Sequence, residues 1–206
     1  MDGHQAKVRT SSLRSNLINL PLLVCNLLFS AKIALQNVIV EVYLAGRGAT
    51  PTKRYLGWTG MPSSDISSID IDPQVSQQLG FKNGDDLIIN IKLGSPEATN
   101  IALEPLTALD WELIELHAQT IEDNLLSQAR CVSVGQHLVV FPSLTSSAKL
   151  VVTDIGLSES YAKINPYAEI SIAPKVREKA APPAKETKDK KQKAEEIGRA
   201  SCRERV

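Results

Sequence analysis

Glu112 and Glu115 are the residues whose type and spacing come closest to a catalytic pair. Two carboxyl groups that flank a scissile bond serve glycoside hydrolases as general acid and general base. Residues three positions apart on a helix are instead neighbours on one face, and no companion motif accompanies this pair. We therefore predict that both carboxylates lie on the solvated side of a helix and have no catalytic role.

Histidine and cysteine, which supply metal ligands and nucleophiles, are few and scattered along the chain. They are His4, His117, His137, Cys25, Cys131 and Cys202. The cysteines form no CxxC pair, and no histidine lies near them at ligand spacing. The sequence predicts no metal site, and we interpret the cysteines as free thiols of a reducing compartment.

The common signatures of enzymes that bind nucleotides, zinc or acyl groups do not occur in the sequence. There is no GxxxxGK[ST], GxGxxG, HExxH or GxSxG motif. The stretch "GRGAT" has two glycines but no lysine or helical pattern after it. We predict no catalytic residue and no cofactor-binding residue in this chain, which we expect not to be an enzyme by itself.

Charge is distributed unevenly, although the formal net charge is zero. Residues 1–174 carry 12 Lys or Arg against 17 Asp or Glu, whereas residues 175–195 carry 8 basic and 4 acidic residues. An acidic body with 4% aromatic residues lacks the basic, aromatic-rich face that binds nucleic acid. We therefore predict no nucleic-acid partner.

The first half of the chain, residues 5–94, has the pattern of short strands separated by turns. Strands are predicted within 8–20 and at 37–45, 53–59, 67–72 and 86–93. Asp72 and Pro73 predict the start of a short helix, Gly80 its left-handed end, and Asn83-Gly84 a tight turn. Strands joined by short helices are typical of a small mixed barrel.

Residues 17–33 allow two interpretations. The run "LINLPLLVCNLLFSAKI" follows basic residues and could be the apolar core of a signal peptide. It is also compatible with a strand that ends at Leu20, Pro21 at a helix start, and a buried amphipathic helix over Leu22–Phe29. We favour the helix, because the run is too short and too interrupted to span a membrane.

A helical segment with a clear start follows the boundary that Gly94-Ser95-Pro96 predicts between two lobes. Thr107 and Asp110 predict a capping box. The spacing of Leu109, Leu113 and Leu116 predicts the packed face of the helix, with Asp110 facing water beside Glu112 and Glu115. A second helix is predicted over 120–129, with Ile121, Leu125 and Leu126 on one face.

The rest of the chain divides into a second lobe and a tail. The second lobe, over 98–174, is predicted to be completed by strands at 130–134, 137–141, 148–155 and 167–174. Residues 175–195 are interpreted as a disordered basic linker. The last residues, 196–206, "EIGRASCRERV", match the in-frame translation of a common sequencing adapter. We expect the native sequence to differ after about Glu195 and to continue beyond it.

Four separated stretches resemble the N-terminal domain of the peroxisome biogenesis factor 1 family, AAA+ ATPases of peroxisome assembly. They are "LRSNLINLP", "YLGWTGMPS", "IDPQVSQQLGFKNGDDL" and "EPLTALDWELIELHAQTIEDNLLSQARCV", and "GWTGMPS" is similar to the fungal branch. The resemblance covers residues 7–175. It implies an α+β, mainly β fold: a double-psi β-barrel lobe followed by a smaller β-barrel lobe with short helices, as in the N-domains of NSF and valosin-containing protein.

The resemblance also implies a function for the longer protein. Two AAA+ cassettes that bind ATP and Mg would follow the linker, and a heterohexamer with peroxisome biogenesis factor 6 would extract ubiquitinated import receptor from the peroxisomal membrane for recycling. The present chain would be a non-catalytic domain that recruits an adaptor or the receptor, cytoplasmic and peripheral at that membrane.

Arg54, Trp58 and Met61 are the candidate contacts with a partner, because Gly57 and Gly60 place them in a possible loop at the lobe edge. The alternative is that Trp58 and Met61 only close a barrel end. A different function, a module that binds phosphoinositides or membrane surfaces with weak lipid contact, is motivated by the basic linker. A stand-alone barrel enzyme has no support beyond the fold.

Overall fold

The structure, a computed structural model, describes residues 3–46 and 51–175. The predicted linker beyond Lys175 and the adapter-like segment 196–206 lie outside the described residues. We call residues 3–46 and 51–92 the first lobe, and residues 97–175 the second lobe.

Six strands of the first lobe form a closed barrel in the order β1-β5-β2-β4-β3-β6. The elements are β1 (His4–Thr10), β2 (Leu17–Leu20), α1 (Leu22–Ser30), a 3-10 helix (Leu35–Asn37), β3 (Ile39–Leu44), β4 (Arg54–Pro62), β5 (Ser68–Ile71), α2 (Pro73–Leu79) and β6 (Asp86–Lys92). The pairs β1/β5 and β2/β4 are parallel, and the other neighbours are antiparallel.

A five-stranded, barrel-like sheet in the order β8-β11-β7-β10-β9 forms the second lobe. Its elements are β7 (Glu97–Pro105), α3 (Ala108–Leu116), α4 (Ala118–Gln128), β8 (Cys131–Ser133), β9 (His137–Val140), β10 (Ala148–Asp154) and β11 (Tyr161–Ile172). Helices α3 and α4 pack on this sheet through Ile114, Ile121 and Leu125. The prediction of a mainly β fold with a barrel lobe and a second barrel-like lobe is confirmed.

The helix ends of α2 and α3 follow the local chemistry that predicted them. Asp72 accepts a hydrogen bond from the Gln74 amide at 2.9 Å, and Gly80 ends α2 with φ of 80°. A residue with a Cβ strains this left-handed conformation, which glycine adopts freely. At α3, Thr107 and Asp110 form the predicted capping box.

The orientation of α3 differs from the prediction. Asp110 is buried rather than water-facing, and its second carboxylate oxygen accepts the Lys149 amide of β10 at 2.9 Å. This contact turns Asp110 and Ile114, four residues apart, toward the sheet. Leu109 and Leu116, which were predicted to pack, are consequently exposed.

Helix α1 begins after Pro21, as predicted, but only one of its faces is buried. Val24, Cys25 and Leu28 join the barrel core. The other side exposes Leu22, Leu23, Leu27 and Phe29 to solvent, so the description of α1 as a buried helix was wrong for that face. Within the described residues, none of the helices combines the length and apolarity that crossing a bilayer takes.

Candidate partner-binding surface

A buried carboxylate, Glu41, lies at the centre of a hydrogen-bond network in the first lobe. Tyr55 donates its hydroxyl at 3.1 Å, Asn90 its side-chain amide at 2.8 Å, and Lys53 lies 3.2 Å from the same carboxylate. Burial raises the pKa of Glu41, but hydrogen bonds from Asn90, Lys53 and Tyr55 outweigh it, so the pKa is lowered overall. Glu41 is therefore a charged structural group rather than a proton acceptor near neutral pH.

A second buried carboxylate, Asp70, joins three strands of the barrel. It accepts hydrogen bonds from Arg9 at 2.8 Å, Asn19 at 3.1 Å and Ser63 at 2.7 Å. Burial raises the pKa of Asp70, but the three hydrogen bonds and the charge of Arg9 outweigh this effect. The pKa of Asp70 is therefore lowered overall. Sequence reasoning missed both carboxylates, whose signal is a single acid inside an apolar run, as in "VIVEVYL".

Metal-ligating and nucleophilic groups are the other components that an active site built on these carboxylates would need. Among residues 3–46 and 51–175, no group of three His, Cys, Asp or Glu side chains could hold a metal ion. Cys25 and Cys131 are both buried, and burial raises the pKa of each thiol, that of Cys131 to about 12. Thiols in this state are poor nucleophiles.

The two lobes are joined by side-chain amides that imitate backbone pairing. Asn16 accepts the Val139 amide at 2.9 Å and donates to the Val139 carbonyl at 2.6 Å. Gln136 makes the same pair of bonds with Tyr55, at 2.8 and 2.6 Å. Each amide satisfies one N–H and one C=O of a strand in the opposite lobe, so the lobes are held in one orientation.

Close approach at Gly57 tightens the same junction. A Cβ at this position would lie 2.6 Å from Leu17 Cδ2 and 3.1 Å from Cβ of Arg130 in the second lobe. The Arg130 guanidinium donates to the Trp58 carbonyl. Tyr55 and Tyr161 stack across the junction with ring centroids 4.0 Å apart.

Beside this junction runs a groove with charged and amide side chains in its lining, which we call the interlobe groove and define by Lys32, Asn37, Ser95, Arg130 and Lys163. Two adjoining cavities of about 440 and 330 Å³ share Asn37 and Lys163 in their linings. The Lys163 ammonium bridges the lobes, because it lies 2.9 Å from Asn37 Oδ1 and 2.7 Å from Glu97 Oε1. Three cations and several amide groups suit the groove to hydrogen bonding and to acidic groups of a partner.

The predicted contact residues Arg54, Trp58 and Met61 do not form one surface. Trp58 is completely buried, which corrects the expectation that it is an exposed contact; its indole N–H donates to the Met61 carbonyl at 3.0 Å. The Met61 side chain is 61% exposed, and Arg54 is partly buried. Arg54 is the first residue of β4, and Met61 lies near its other end. The alternative was that Trp58 and Met61 close a barrel end. Trp58 belongs to the barrel core, whereas Met61 is exposed.

Comparison with known proteins identifies the chain's relatives. Residues 99–174 match the family described as "Peroxisome biogenesis factor 1, N-terminal". The chain is 36% identical over 185 residues to peroxisomal ATPase PEX1 of Komagataella phaffii, covering 87% of this chain and 16% of that protein.

Two further relatives carry the same name. PEX1 of Arthrobotrys oligospora is 33% identical over 210 residues, covering 84% of this chain and 18% of that protein, and human PEX1 is 30% identical over 146 residues, covering 69% and 11%. The chain thus spans less than a fifth of the length of these relatives. It belongs to the peroxisome biogenesis factor 1 family and carries the N-terminal domain of that peroxisomal ATPase.

Proposed function

We propose that this chain is the non-catalytic recruiting domain of a peroxisomal AAA+ ATPase. In the full-length protein it serves the ATP-dependent extraction and recycling of the peroxisomal matrix-protein import receptor, in a heterohexamer with peroxisome biogenesis factor 6. The ATP and Mg chemistry belongs to cassettes outside these 206 residues. The domain works on the cytoplasmic side, peripheral at the peroxisomal membrane.

The observation that carries this proposal is the interlobe groove between two lobes held in fixed orientation. A preorganised surface binds without the entropy cost of ordering its own side chains and loops. The amide pairs of Asn16 and Gln136 supply this preorganisation. By holding a receptor or adaptor in this groove, the domain raises the effective concentration of that partner beside the motor. This role requires binding but no catalysis by the domain.

Charge indicates which partners fit the groove. Lys32, Arg130 and Lys163 line it. Among the residues that the structure describes, Lys163 has a carboxylate neighbour, Glu97, at 2.7 Å, and neither Lys32 nor Arg130 forms an ion pair. Acidic side chains of a bound partner can therefore pair with the cations of the groove. We propose that the partner is the ubiquitinated import receptor, or an adaptor that carries it, contacting the groove through acidic side chains.

Charge reversal at Lys32 tests this assignment. Lys32 is exposed and lines the groove, so Lys32→Glu is expected to weaken binding of the mono-ubiquitinated receptor about fivefold, the effect of one repelled surface charge. The immobilised chain is titrated with purified receptor, and the bound fraction gives Kd. Lys82→Glu, exposed in the turn after α2, is the matched control and keeps the wild-type Kd.

Failure of the wild-type chain to retain either the receptor or a receptor–adaptor complex would refute the recruiting role. Equal weakening by Lys32→Glu and Lys82→Glu would refute the groove as its location. An ATPase measurement on the same preparation is expected to give the buffer rate.

A second candidate function, contact with the membrane surface, is favoured by one feature of the first lobe. Helix α1 exposes Leu22, Leu23, Leu27 and Phe29 on one side and carries no charged residue. An uncharged apolar helix face can lie in the headgroup region of a bilayer.

Substitution in α1 measures this membrane contribution. Leu23→Asp is expected to lower the partition constant onto phosphatidylcholine vesicles containing phosphatidylinositol phosphate, measured by co-sedimentation, by about thirtyfold, because burial of one leucine contributes about 2 kcal/mol. Leu144→Asp, an exposed leucine of the second lobe, is the control. Equal recovery of Leu23→Asp and wild type would exclude α1 as a membrane contact.

A further inference from the structure

Strand β11 is paired on both sides only at its beginning. β8 pairs with Tyr161–Lys163, whereas β7 pairs with β11 at Lys163, Ile164 and from Glu169 to Ile172. In the part of the chain that the structure describes, no strand pairs with the other side of β11 after Lys163. An unpaired strand edge is a template for the addition of a strand from another chain.

The backbone of β11 presents hydrogen-bonding groups to this open side. The Ala173 amide donates to the Leu103 carbonyl of β7 at 2.9 Å. Peptide groups alternate in direction along a strand, so the N–H and C=O groups of Ile172 and Ile170 point away from β7. Both side chains are only half buried, which leaves this edge accessible.

An apolar cavity of about 240 Å³ opens between the same strand and helix α4. Ala168, Ile170 and Ile172 line it from β11, and Ile121 and Leu125 line it from α4. An apolar cavity of about 150 Å³ holds a benzene ring, so this one accommodates at least one large aliphatic or aromatic side chain. Such a pocket beside an open edge supplies the side-chain recognition that strand addition requires.

The surroundings of the cavity are acidic. Helices α3 and α4 together contain Asp110, Glu112, Glu115, Glu122 and Asp123 and no Lys or Arg. Glu122 is exposed and lines the cavity itself. A partner that enters here meets a negative potential, which favours basic side chains.

We propose that the second lobe binds an extended, basic protein segment that adds a strand to the open edge of β11, inserts an apolar side chain into the cavity and places Lys or Arg against Glu122. This binding site is separate from the interlobe groove and has the opposite charge preference. This proposal goes beyond the recruiting role proposed above. It depends on the contacts of β11 and α4 and does not depend on what the interlobe groove binds.

The partner segment is tested with a fluorescent synthetic peptide of alternating Lys and Val, seven residues long, added to the full 206-residue chain. We expect saturable binding in fluorescence anisotropy and slower amide hydrogen exchange over residues 165–172. Glu122→Lys weakens binding about fivefold, as expected for reversal of one rim charge. Asp123→Lys, the adjacent exposed acid that does not line the cavity, changes Kd less than twofold.

Two altered peptides separate strand pairing from general attraction. A Glu-Val peptide is expected not to bind, and methylation of alternate peptide nitrogens is expected to abolish binding because it removes the pairing N–H groups. Equal weakening by Glu122→Lys and Asp123→Lys, or full affinity of the methylated peptide, would overturn the proposal. Absence of peptide binding together with slow exchange at 165–172 in the free chain would also overturn it and assign the edge to the chain's own segment after Lys175. The Lys32→Glu variant keeps wild-type peptide binding, so failure here is distinct from failure of the groove.

Discussion

Trp58→Ala is expected to lower the free energy of unfolding by about 3–5 kcal/mol, the range for removing a large aromatic side chain from a core. The indole is completely buried, its ring centroid lies 5.2 Å from that of Phe29, and its N–H satisfies the Met61 carbonyl at 3.0 Å. The substitution leaves a cavity in the barrel and removes one of the two donors to that carbonyl, the other being the Cys25 thiol at 3.7 Å. A loss of this size is a large part of the 5–15 kcal/mol that stabilises a typical domain.

Urea unfolding followed by circular dichroism measures this change. Trp58→Phe keeps most of the volume and is expected to cost less than Trp58→Ala. Tyr167→Ala removes an aromatic ring that is 94% exposed, and its expected cost is within about 0.5 kcal/mol. A cost below about 1 kcal/mol for Trp58→Ala would contradict the central position of Trp58 in the barrel core.

Asp70→Ala is expected to destabilise the first lobe by about 3 kcal/mol, because it removes the acceptor that Asn19 and Ser63 share with Arg9. Both amide and hydroxyl would remain near the barrel interior with fewer partners. The Arg9 guanidinium is partly exposed and regains water. Loss of the Arg9 contact therefore contributes less than loss of the contacts of partly buried Asn19 and buried Ser63.

The same carboxylate makes the stability of the protein dependent on pH. The pKa of Asp70 is lowered in the folded state, so its stabilisation is present above the unfolded value of 3.8 and is lost as the pH falls through the lowered pKa. The pKa of Glu41 is also lowered in the folded state, from an unfolded value of 4.5, so the stabilisation by Glu41 is likewise lost as the pH falls.

Unfolding in urea at pH values from about 2 to 7 is expected to show wild-type stability falling below pH 4.5. Asp70→Asn retains the shape but not the charge, so the variant loses less stability over that acid range. Asp154→Asn, at an exposed carboxyl, is the control and follows the wild-type curve. Parallel curves for Asp70→Asn and wild type would show that Asp70 is not a source of the acid sensitivity.

The features predicted correctly from sequence are those set by neighbouring residues. Asp72, Pro73 and Gly80 predicted both ends of α2 because each acts on the backbone within a few positions. Thr107 and Asp110 predicted the start of α3 for the same reason. The strand pattern and the familiar motifs predicted two β lobes.

The features that sequence reasoning missed depend on residues far apart in the chain. Asp110 is buried because it meets the Lys149 amide, 39 positions later. Gln136 pairs with Tyr55 across 81 positions, and neither residue type signals a junction by itself. Trp58 is buried and Met61 is exposed on either side of Gly60, which has φ of 98°, where β4 shifts register against β2.

The open edge of β11 was equally hidden, because β11 begins at Tyr161 rather than near Tyr167 and shifts register between Ile164 and Glu169. A β-bulge of this kind changes which backbone groups face each neighbour. The strand was predicted as present, but its partners were not.

The packing of β9 has a consequence for how the protein folds. Val139 and Phe141 belong to the second lobe in sequence, yet they pack within the hydrophobic core of the barrel. A chain cut between the lobes would expose an apolar surface on each half, so we expect the two halves to unfold in a single transition. The family match begins at residue 99, although similarity to the Komagataella phaffii relative covers 87% of the chain. We therefore do not expect residue 99 to mark the start of a piece that is stable when separated.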